Sequence, residues 1–247
     1  MSNSENFFVY GRNPVEEALQ NRPMEVDKVF IKNNLKASSF QNISDLATKN
    51  DVPLVRVPGA KIYNLVGKVN DQGFVAQISA AKYTDFFDWI ETLVLSKNPA
   101  VLLLHGIEDP HNFGAILRSA AAAGIEAVII PMQNQAPVNA TVFKTSAGTA
   151  GRIPVIRVHD LNQAFKDLKA VGFTIAGLDG SAKKSLWEAD LNQPVVFLIG
   201  SEGEGIHPAN LKRCDYLINI PMENEVESLN ASVSAALISY ESMRQKK

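Results

Sequence analysis

Short apolar runs alternate with amphipathic stretches along the part of the chain that follows residue 99. Six runs have the length and composition of buried strands, at 101–105, 127–130, 153–156, 173–178, 195–199 and 216–220. Between and after them, apolar residues recur at helical spacing over 113–123, over 161–171 and near the C-terminus. This alternation predicts an α/β fold with a mostly parallel sheet that helices cover on both faces.

The first 80 residues predict a smaller α/β unit. Its predicted helices span 13–20 and 40–50, and its predicted strands span 28–32, 53–57 and 73–79. Residues 81–98, with a short amphipathic helix near 86–95, are typical of a connector. We therefore predict a domain over 1–80, a linker over 81–98 and a second domain over 99–247.

The composition favours a folded cytoplasmic protein. Of the 247 residues, 46% are hydrophobic, and no apolar run reaches the roughly 18 residues that a membrane span needs. The N-terminus lacks the basic and apolar regions of a signal peptide. The single cysteine, Cys214, excludes an intrachain disulfide and suits a reducing compartment.

Net charge gives limited information about partners. The overall charge of −2 argues against indiscriminate binding to nucleic acid. Residues 1–82 carry ten basic and eight acidic side chains, a net of +2, whereas residues 98–247 carry thirteen and fifteen, a net of −2. This difference permits an RNA-binding N-terminal domain without requiring one.

Three polar clusters each follow a predicted strand. They are HGIEDPHN at 105–112, GSEGEG at 200–205 and PMENEVESLN at 221–230. Sites in open parallel sheets lie outside the carboxyl ends of the strands. We therefore expect the three clusters to form one site.

The third cluster leads into a helix with a polar opening. Ser228, Asn230, Ser232 and Ser234 alternate there with apolar residues. Apolar positions continue at helical spacing through Leu229, Val233, Ala236, Leu237, Tyr240 and Met243. The polar residues are either a helix cap with surface serines or one wall of a binding crevice.

The first and second clusters also allow both a structural and a functional interpretation. Asn112 is a natural N-cap, and Gly124 is a natural residue to end the helix between them. Arg118 shares a helical face with small residues, so it is either a surface arginine or a cation aimed at a phosphate or oxyanion. The glycines of 200–205 form either a flexible turn or a backbone that a ligand can approach closely.

Several other chemistries lack their signatures. The spacing G-x-x-G-x-G differs from the dinucleotide fingerprint G-x-G-x-x-G. The four histidines, at 105, 111, 159 and 207, are scattered and no cysteine pair is present, so no metal site is expected. A serine hydrolase is also unsupported, because no G-x-S-x-G elbow occurs.

In this order, the three clusters closely resemble the motifs of the SpoU class of SPOUT RNA methyltransferases. The matching segments are DPHNFGAILRSAAAAG (109–124), VVFLIGSEGEGI (195–206) and LINIPMENEVESLNASVSAAL (217–237), with KTSAGTAGRIPVIRV (144–158) between them and YGRNPVEEAL (10–19) near the N-terminus. The layout is most similar to the branch that methylates a guanosine ribose in large-subunit (23S) ribosomal RNA.

The resemblance implies a fold, a cofactor and partners. It implies a C-terminal SPOUT domain with a deep trefoil knot and a small N-terminal L30e-like domain that binds RNA. It also implies S-adenosyl-L-methionine as methyl donor, and a homodimer whose active site is completed near the subunit interface.

Carried over position by position, the resemblance assigns residues to roles. Five match the catalytic constellation: Asn112, Arg118, Glu202, Ser228 and Asn230. Three match positions that cradle the donor, largely through backbone groups: Gly200, Ile220 and Leu229. Two positions depart from the family pattern, since Glu227 stands where a small residue is common and Gly151 where an acidic one is common.

The chemistry expected is transfer of a methyl group to a ribose 2′-hydroxyl. Arg118 would accept or relay the hydroxyl proton, or would stabilise the developing alkoxide while a phosphate or water takes that proton. Glu202 would orient Arg118, and Ser228 and Asn230 would position the ribose and the loop. The alternatives are the same reaction on transfer RNA, or a non-catalytic ribosomal RNA assembly factor. Candidate RNA contacts in the first domain are Arg12, Lys32, Lys36 and Arg56.

Overall fold

The computed structural model describes residues 7–79, 83–201, 203–224 and 226–247. The chain divides into two compact units, each with its own sheet: one comprises Met1–Lys82 with Pro137–Ala140, and the other Tyr83–Ala136 with Thr141–Lys247. Among the described residues, none of the helices is long and apolar enough to cross a membrane.

Over its described residues, the first unit contains a four-stranded mixed sheet and three helices. Its strands are β1 (Phe7–Tyr10), β2 (Val26–Lys32), β3 (Leu54–Val57) and β4 (Phe74–Ile78), in the order β1-β4-β2-β3. Its helices are α1 (Arg12–Asn21), α2 (Gln41–Lys49) and α3 (Gly59–Val66), with 3₁₀ turns at Pro23–Glu25 and Ala37–Ser39. β2 pairs parallel with β3, and β4 lies antiparallel to both β1 and β2.

The sequence predicted five of these seven elements, and β1 and α3 were missed. β1 is a short edge strand whose Phe7 and Tyr10 are exposed, so it lacks the buried alternation that marks a strand in sequence. α3 has one fully buried side chain, Ile62, which packs with Phe30 and Val75 in the small core of this unit.

The second unit is a seven-stranded sheet with helices on both faces. Its strands are β5 (Ala100–Leu104), β6 (Ala127–Pro131), β7 (Val155–Val158), β8 (Thr174–Leu178), β9 (Lys184–Ser185), β10 (Val195–Ile199) and β11 (Tyr216–Asn219). Its helices are α4 (Phe86–Glu91), α5 (Pro110–Ala122), α6 (Ala140–Thr145), α7 (Leu161–Val171), α8 (Pro208–Leu211) and α9 (Ala231–Gln245). 3₁₀ turns occur at Leu95–Lys97, Thr149–Gly151 and Leu186–Glu188.

The sheet runs in the order β7-β6-β5-β10-β8-β11-β9, and each of these pairings is parallel. Every residue of β5, β6, β7 and β10 is buried, as expected for strands covered on both faces. The prediction of a mostly parallel α/β sheet is therefore confirmed. The six predicted strands are all present; β10 has the predicted bounds, and β7 begins two residues later than predicted.

The two faces of this sheet carry different helices. On one face, α4 and α7 pack Trp89, Phe165 and Leu168 against Val101 and Leu198 of the strands. On the other face, α9 packs against β5, β10 and α5. Because Phe86 and Trp89 belong to this core, the structure places residues 83–98 within the second unit.

Helix α9 buries an unexpected face. The residues that it buries are mostly small or polar: Ala231, Ser234, Ala235, Ile238, Ser239, Glu241 and Ser242. Val233 and Tyr240, from the apolar series seen in the sequence, are 45% and 47% exposed. The small side chains let α9 lie close to the sheet and α5, while the larger apolar ones face away from this core.

Candidate active site

A cavity of about 840 Å³ opens at the carboxyl edge of the parallel sheet. Leu178, Ile199 and Asn219, the last residues of β8, β10 and β11, line it. The described residues of the loop 200–205 and of the segment 220–229 supply most of the remaining wall. The volume lies within the ~300–1,000 Å³ usual for small-molecule sites, and the position is the one expected for an open α/β sheet.

Gly200 lets the loop after β10 fold back on itself. Ser201 and Gly205 exchange backbone hydrogen bonds of 3.2 and 3.0 Å, which close the loop. A Cβ added at Gly200 would lie 2.1 Å from the carbonyl carbon and oxygen of Gly205. Backbone atoms cannot give way at that distance, so any larger residue would open the loop and reshape this wall of the cavity.

Gly114 has a comparable role on α5. A Cβ there would lie 1.8 Å from Oγ1 of Thr145 and 3.0 Å from the carbonyl oxygen of Val142, both on α6. The glycine therefore permits the close approach of α6 to α5. The Thr145 hydroxyl donates to the carbonyl of Thr141 at 2.9 Å.

The openings of α5 and α9 meet through a pair of asparagines. The Asn230 side-chain amide donates to Oδ1 of Asn112 at 3.0 Å. Asn230 is also the N-cap of α9, because its Oδ1 accepts from the Ser232 N–H at 2.9 Å. One side chain therefore both starts α9 and ties it to α5.

The predicted cap of α5 is wrong by three residues. Asp109, rather than Asn112, is the N-cap, and its carboxylate accepts from the His111 N–H at 3.0 Å. Pro110 takes the first helical position, which suits its fixed φ and missing N–H. This leaves the Asn112 side chain available for Asn230. At the other end, Gly124 has φ +75° just after the helix, as the sequence predicted.

The structure places seven of the eight sequence-predicted catalytic and donor-binding residues. Gly200, Ile220, Ser228 and Leu229 line the cavity. Asn112 and Asn230 join the two helix openings beside it. Arg118 is exposed on α5 and lies outside the residues that line the cavity, and Glu202 lies outside the described residues.

The wall formed by the segment after β8 was missed from the sequence. Gly180 and Ser185 line the cavity there, together with Leu178. Asp179 accepts a hydrogen bond of 2.8 Å from the Ser181 N–H, which turns the chain directly after the strand. The signal was present, since DGS at 179–181 is a fourth polar cluster that follows a predicted strand.

His105 lies directly after β5, close to the loop that closes on Gly200. The backbone N–H of His105 donates to the carbonyl of Ile199 at 2.9 Å. Burial, followed by the charge of the neighbouring His207, lowers the pKa of His105 below its usual value. The neutral form is therefore favoured at this position.

The four candidate RNA contacts gather at one end of the first unit's sheet. Lys32 pairs with Asp71 at 2.8 Å, and Arg12 pairs with Glu16 at 3.1 Å. Arg56 donates to the carbonyl oxygens of Asn33 and Leu35 at 2.6 and 2.8 Å, and so holds the loop after β2. Lys36 is exposed on the same loop.

Asp71 is stabilised in its charged form. Burial alone would raise its pKa, but the hydrogen bonds from Lys32 and from the Gly73 N–H outweigh burial, and the pKa lies below its usual value. In this structure the Lys32 ammonium group is therefore already paired with the Asp71 carboxylate.

Two regions of the chain match known protein families. Residues 99–240 match the SpoU rRNA Methylase family, and residues 8–84 match RNA 2′-O ribose methyltransferase substrate binding. These regions cover both units.

Individual relatives agree with these matches. The chain is 38% identical to a 23S rRNA (guanosine-2′-O-)-methyltransferase RlmB of Xanthomonas campestris pv. campestris, over 98% of each chain. It is 37% identical to a putative TrmH family tRNA/rRNA methyltransferase of Staphylococcus saprophyticus, over 98% of this chain and 97% of the relative. It also resembles the crystal structure of the SpoU methyltransferase AviRb from Streptomyces viridochromogenes in complex with AdoMet, with a TM-score of 0.61 and 25% identity over 98% of this chain and 90% of that one.

The fold, the cavity and these matches define an S-adenosylmethionine-dependent RNA methyltransferase. The chain belongs to the SpoU rRNA methylase family.

Proposed function

We propose that this protein transfers a methyl group from S-adenosylmethionine to the ribose 2′-hydroxyl of a guanosine in 23S ribosomal RNA. One observation carries the proposal for the site: the cavity at the sheet edge is lined by Gly200, Ile220, Ser228 and Leu229, four of the eight residues that the family motifs single out. The RlmB relatives, similar over nearly the whole chain, support the substrate.

The cavity fits the donor. The missing Cβ at Gly200 lets the backbone of Gly205 pack against it, and the closed loop gives this wall of the cavity a fixed shape. Apolar side chains of Leu178, Ile220 and Leu229 are suited to an adenine ring, and the edge remains polar through Ser185 and Asn219. When bound, S-adenosylmethionine supplies a methyl group already activated by its sulfonium.

The chain's own residues have to align the ribose and help its proton to leave. Alignment of reacting groups alone can supply on the order of 7–11 kcal/mol. We assign this alignment to Asn112, Ser228 and Asn230, because the 3.0 Å bond between the asparagines fixes α5 relative to α9 beside the cavity. The N-terminal ends of α5 and α9 then behave as one rigid body beside the cavity.

Arg118 is our candidate for the group that acts at the 2′-oxygen. A planar, positively charged guanidinium is suited to stabilising the developing alkoxide while a phosphate or water takes the proton. Its exposed place on α5, six residues after Asn112, leaves it accessible to an RNA strand. We assign to Glu202 the orientation of Arg118.

The first unit, in our proposal an L30e-like domain over residues 1–80, binds the RNA. Arg12, Lys32, Lys36 and Arg56 form a basic rim at one end of its sheet. Arg56 and Lys32 shape the loop after β2, and the exposed Lys36 offers a charge to phosphate. Residues 99–247 form the catalytic domain.

We further propose that the active protein is a cytoplasmic homodimer with a knotted catalytic domain. The exposed apolar positions Val233 and Tyr240, with half-buried Leu237, recur at i, i+4 and i+7 on α9, which suits a helix that packs against a second copy. The strand order, in which β10 lies between β5 and β8, is compatible with a trefoil knot.

The reaction is tested with purified protein, donor that carries a labelled methyl group and, in separate assays, unmodified 23S ribosomal RNA and unmodified transfer RNA. We expect label in 2′-O-methylguanosine after nuclease digestion and mass spectrometry, and none with Arg118→Ala. Label on a base, or label in transfer RNA alone, would overturn the proposed reaction or the proposed substrate, respectively.

A further inference from the structure

The charged side chains among the described residues that line the proposed donor cavity are all acidic. Glu204 and Glu227 line the cavity, and no lysine, arginine or histidine lies among the described residues that line it. Glutamate is an acceptor-only anion when ionised, so the described wall carries two negative charges and no compensating cation. Such a wall favours a positively charged ligand over a neutral one.

Short, tethered segments carry both carboxylates. Glu204 belongs to the loop that the Ser201–Gly205 hydrogen bonds close, and its own N–H donates to the Ser201 hydroxyl at 3.3 Å. Glu227 directly precedes Ser228, between β11 and the N-cap of α9. Glu204 thus lies within a hydrogen-bonded loop and Glu227 three residues before the N-cap of α9, and both residues line the cavity.

The donor and the product of methyl transfer differ by one charge. The sulfonium of S-adenosylmethionine is positive, whereas S-adenosylhomocysteine has a neutral thioether at the same place and is otherwise alike. Two unit charges about 6 Å apart in water-like surroundings change an affinity by roughly threefold. Two glutamates can therefore separate donor from product by up to about tenfold.

We propose that Glu204 and Glu227 are specificity-determining residues that select the cationic donor over the neutral product. They strengthen donor binding, and because they do not hold the product equally, they favour its release after each turnover. This inference rests on the proposed function of the cavity as the donor site.

The test is calorimetric titration of the full chain with three ligands: S-adenosylmethionine, S-adenosylhomocysteine and sinefungin, in which a protonated amine replaces the sulfonium. The variants are Glu204→Gln, Glu227→Gln and the double variant. Glu223→Gln is the matched control, because Glu223 is an exposed glutamate of the same segment that is not among the residues lining the cavity. Each titration is repeated at about 50 and 500 mM salt, because salt screens electrostatic contributions to binding and leaves contributions from shape unchanged.

We expect each cavity variant to lower the ratio of product to donor dissociation constants roughly threefold, chiefly through weaker donor binding. Sinefungin should follow the donor, high salt should shrink the difference, and Glu223→Gln should leave the ratio as in the wild type. An unchanged ratio in the double variant, with donor still bound, overturns the inference and leaves the proposed function intact. A wild-type chain that binds none of the three ligands overturns the proposed function itself.

Discussion

The side-chain amide of Asn230 donates to Oδ1 of Asn112 at 3.0 Å, and so joins two residues 118 positions apart in the chain. Each residue stands at the opening of a helix, Asn112 in the first turn of α5 and Asn230 at the N-cap of α9. The contact lies beside the cavity that Ser228 and Leu229 line. It brings two separate sequence motifs into contact.

This contact can be separated from helix capping by mutation. Asn112→Ala removes the acceptor but leaves the α9 cap, whereas Asn230→Ser keeps a capping oxygen and removes the amide donor. We expect both to reduce turnover on the order of 100-fold through misalignment. Asn230→Ala should in addition cost about 1 kcal/mol of stability from the lost cap.

A double-mutant cycle of Asn112→Ala and Asn230→Ser checks this account. Turnover is measured by single-turnover methyl transfer, and stability by urea unfolding. If the two effects on turnover multiply as independent changes, the asparagines do not act as a unit and their assigned role is wrong.

Gly200→Ala should damage the proposed donor cavity, because the new Cβ would lie 2.1 Å from backbone atoms of Gly205. We expect a loss of stability on the order of 3 kcal/mol and greatly weakened donor binding. Gly203→Ala is the control for stability, since nothing lies within 4 Å of a Cβ there, and it should stay within about 0.5 kcal/mol of the wild type. Equal stability of the two variants contradicts the tight-loop account.

The exposed apolar residues Val233 and Tyr240 on α9 predict that the protein is a dimer. Val233→Glu with Tyr240→Glu places charges on a surface that we propose a second copy covers, so the protein should become monomeric. Phe87→Glu is the matched control, because Phe87 is 63% exposed on α4. Light scattering after size-exclusion chromatography measures the mass. A dimer that persists in the α9 variant would place the interface elsewhere.

The Lys32–Asp71 pair predicts an acid-dependent contribution to stability. The folded state holds the pKa of Asp71 below its unfolded value, so Asp71 stabilises the protein above pH ~4, and this stabilisation is lost as the pH falls through the folded-state pKa. The stability difference between wild type and Asp71→Asn should therefore shrink on acidification. Urea unfolding at several pH values measures it, and a difference that is constant with pH refutes the prediction.

Much of the second unit's sheet could be predicted from the sequence, because its central strands are buried on both faces. Runs such as 195–199 consist only of apolar residues, so their bounds are visible without any tertiary information. The edge strand β1 has no such signal, since the exposed Phe7 and Tyr10 flank half-buried residues.

The C-terminal helix shows where periodicity misleads. Its spacing correctly predicted a helix, but the face packed on the sheet is built from residues such as Ala235 and Ser239, and the larger Val233 and Tyr240 face away. Hydrophobic periodicity predicts which face of a helix is apolar. It does not predict what packs against that face.

The candidate site was predictable in its position and only partly in its contacts. Polar clusters after strands predicted the sheet edge, and the cavity lies there. The Asn112–Asn230 bond depends on how α5 and α9 pack, and the role of Asp109 as cap was hidden because two good capping residues stand three positions apart.

The most direct test of the central claim maps ribose methylation across ribosomal and transfer RNA from cells with and without this gene. We predict that one guanosine in 23S ribosomal RNA loses its 2′-O-methyl group, and that the wild-type gene restores it while Arg118→Ala does not. An unchanged 23S methylation pattern, or a site that Arg118→Ala restores as fully as the wild type, would contradict the account.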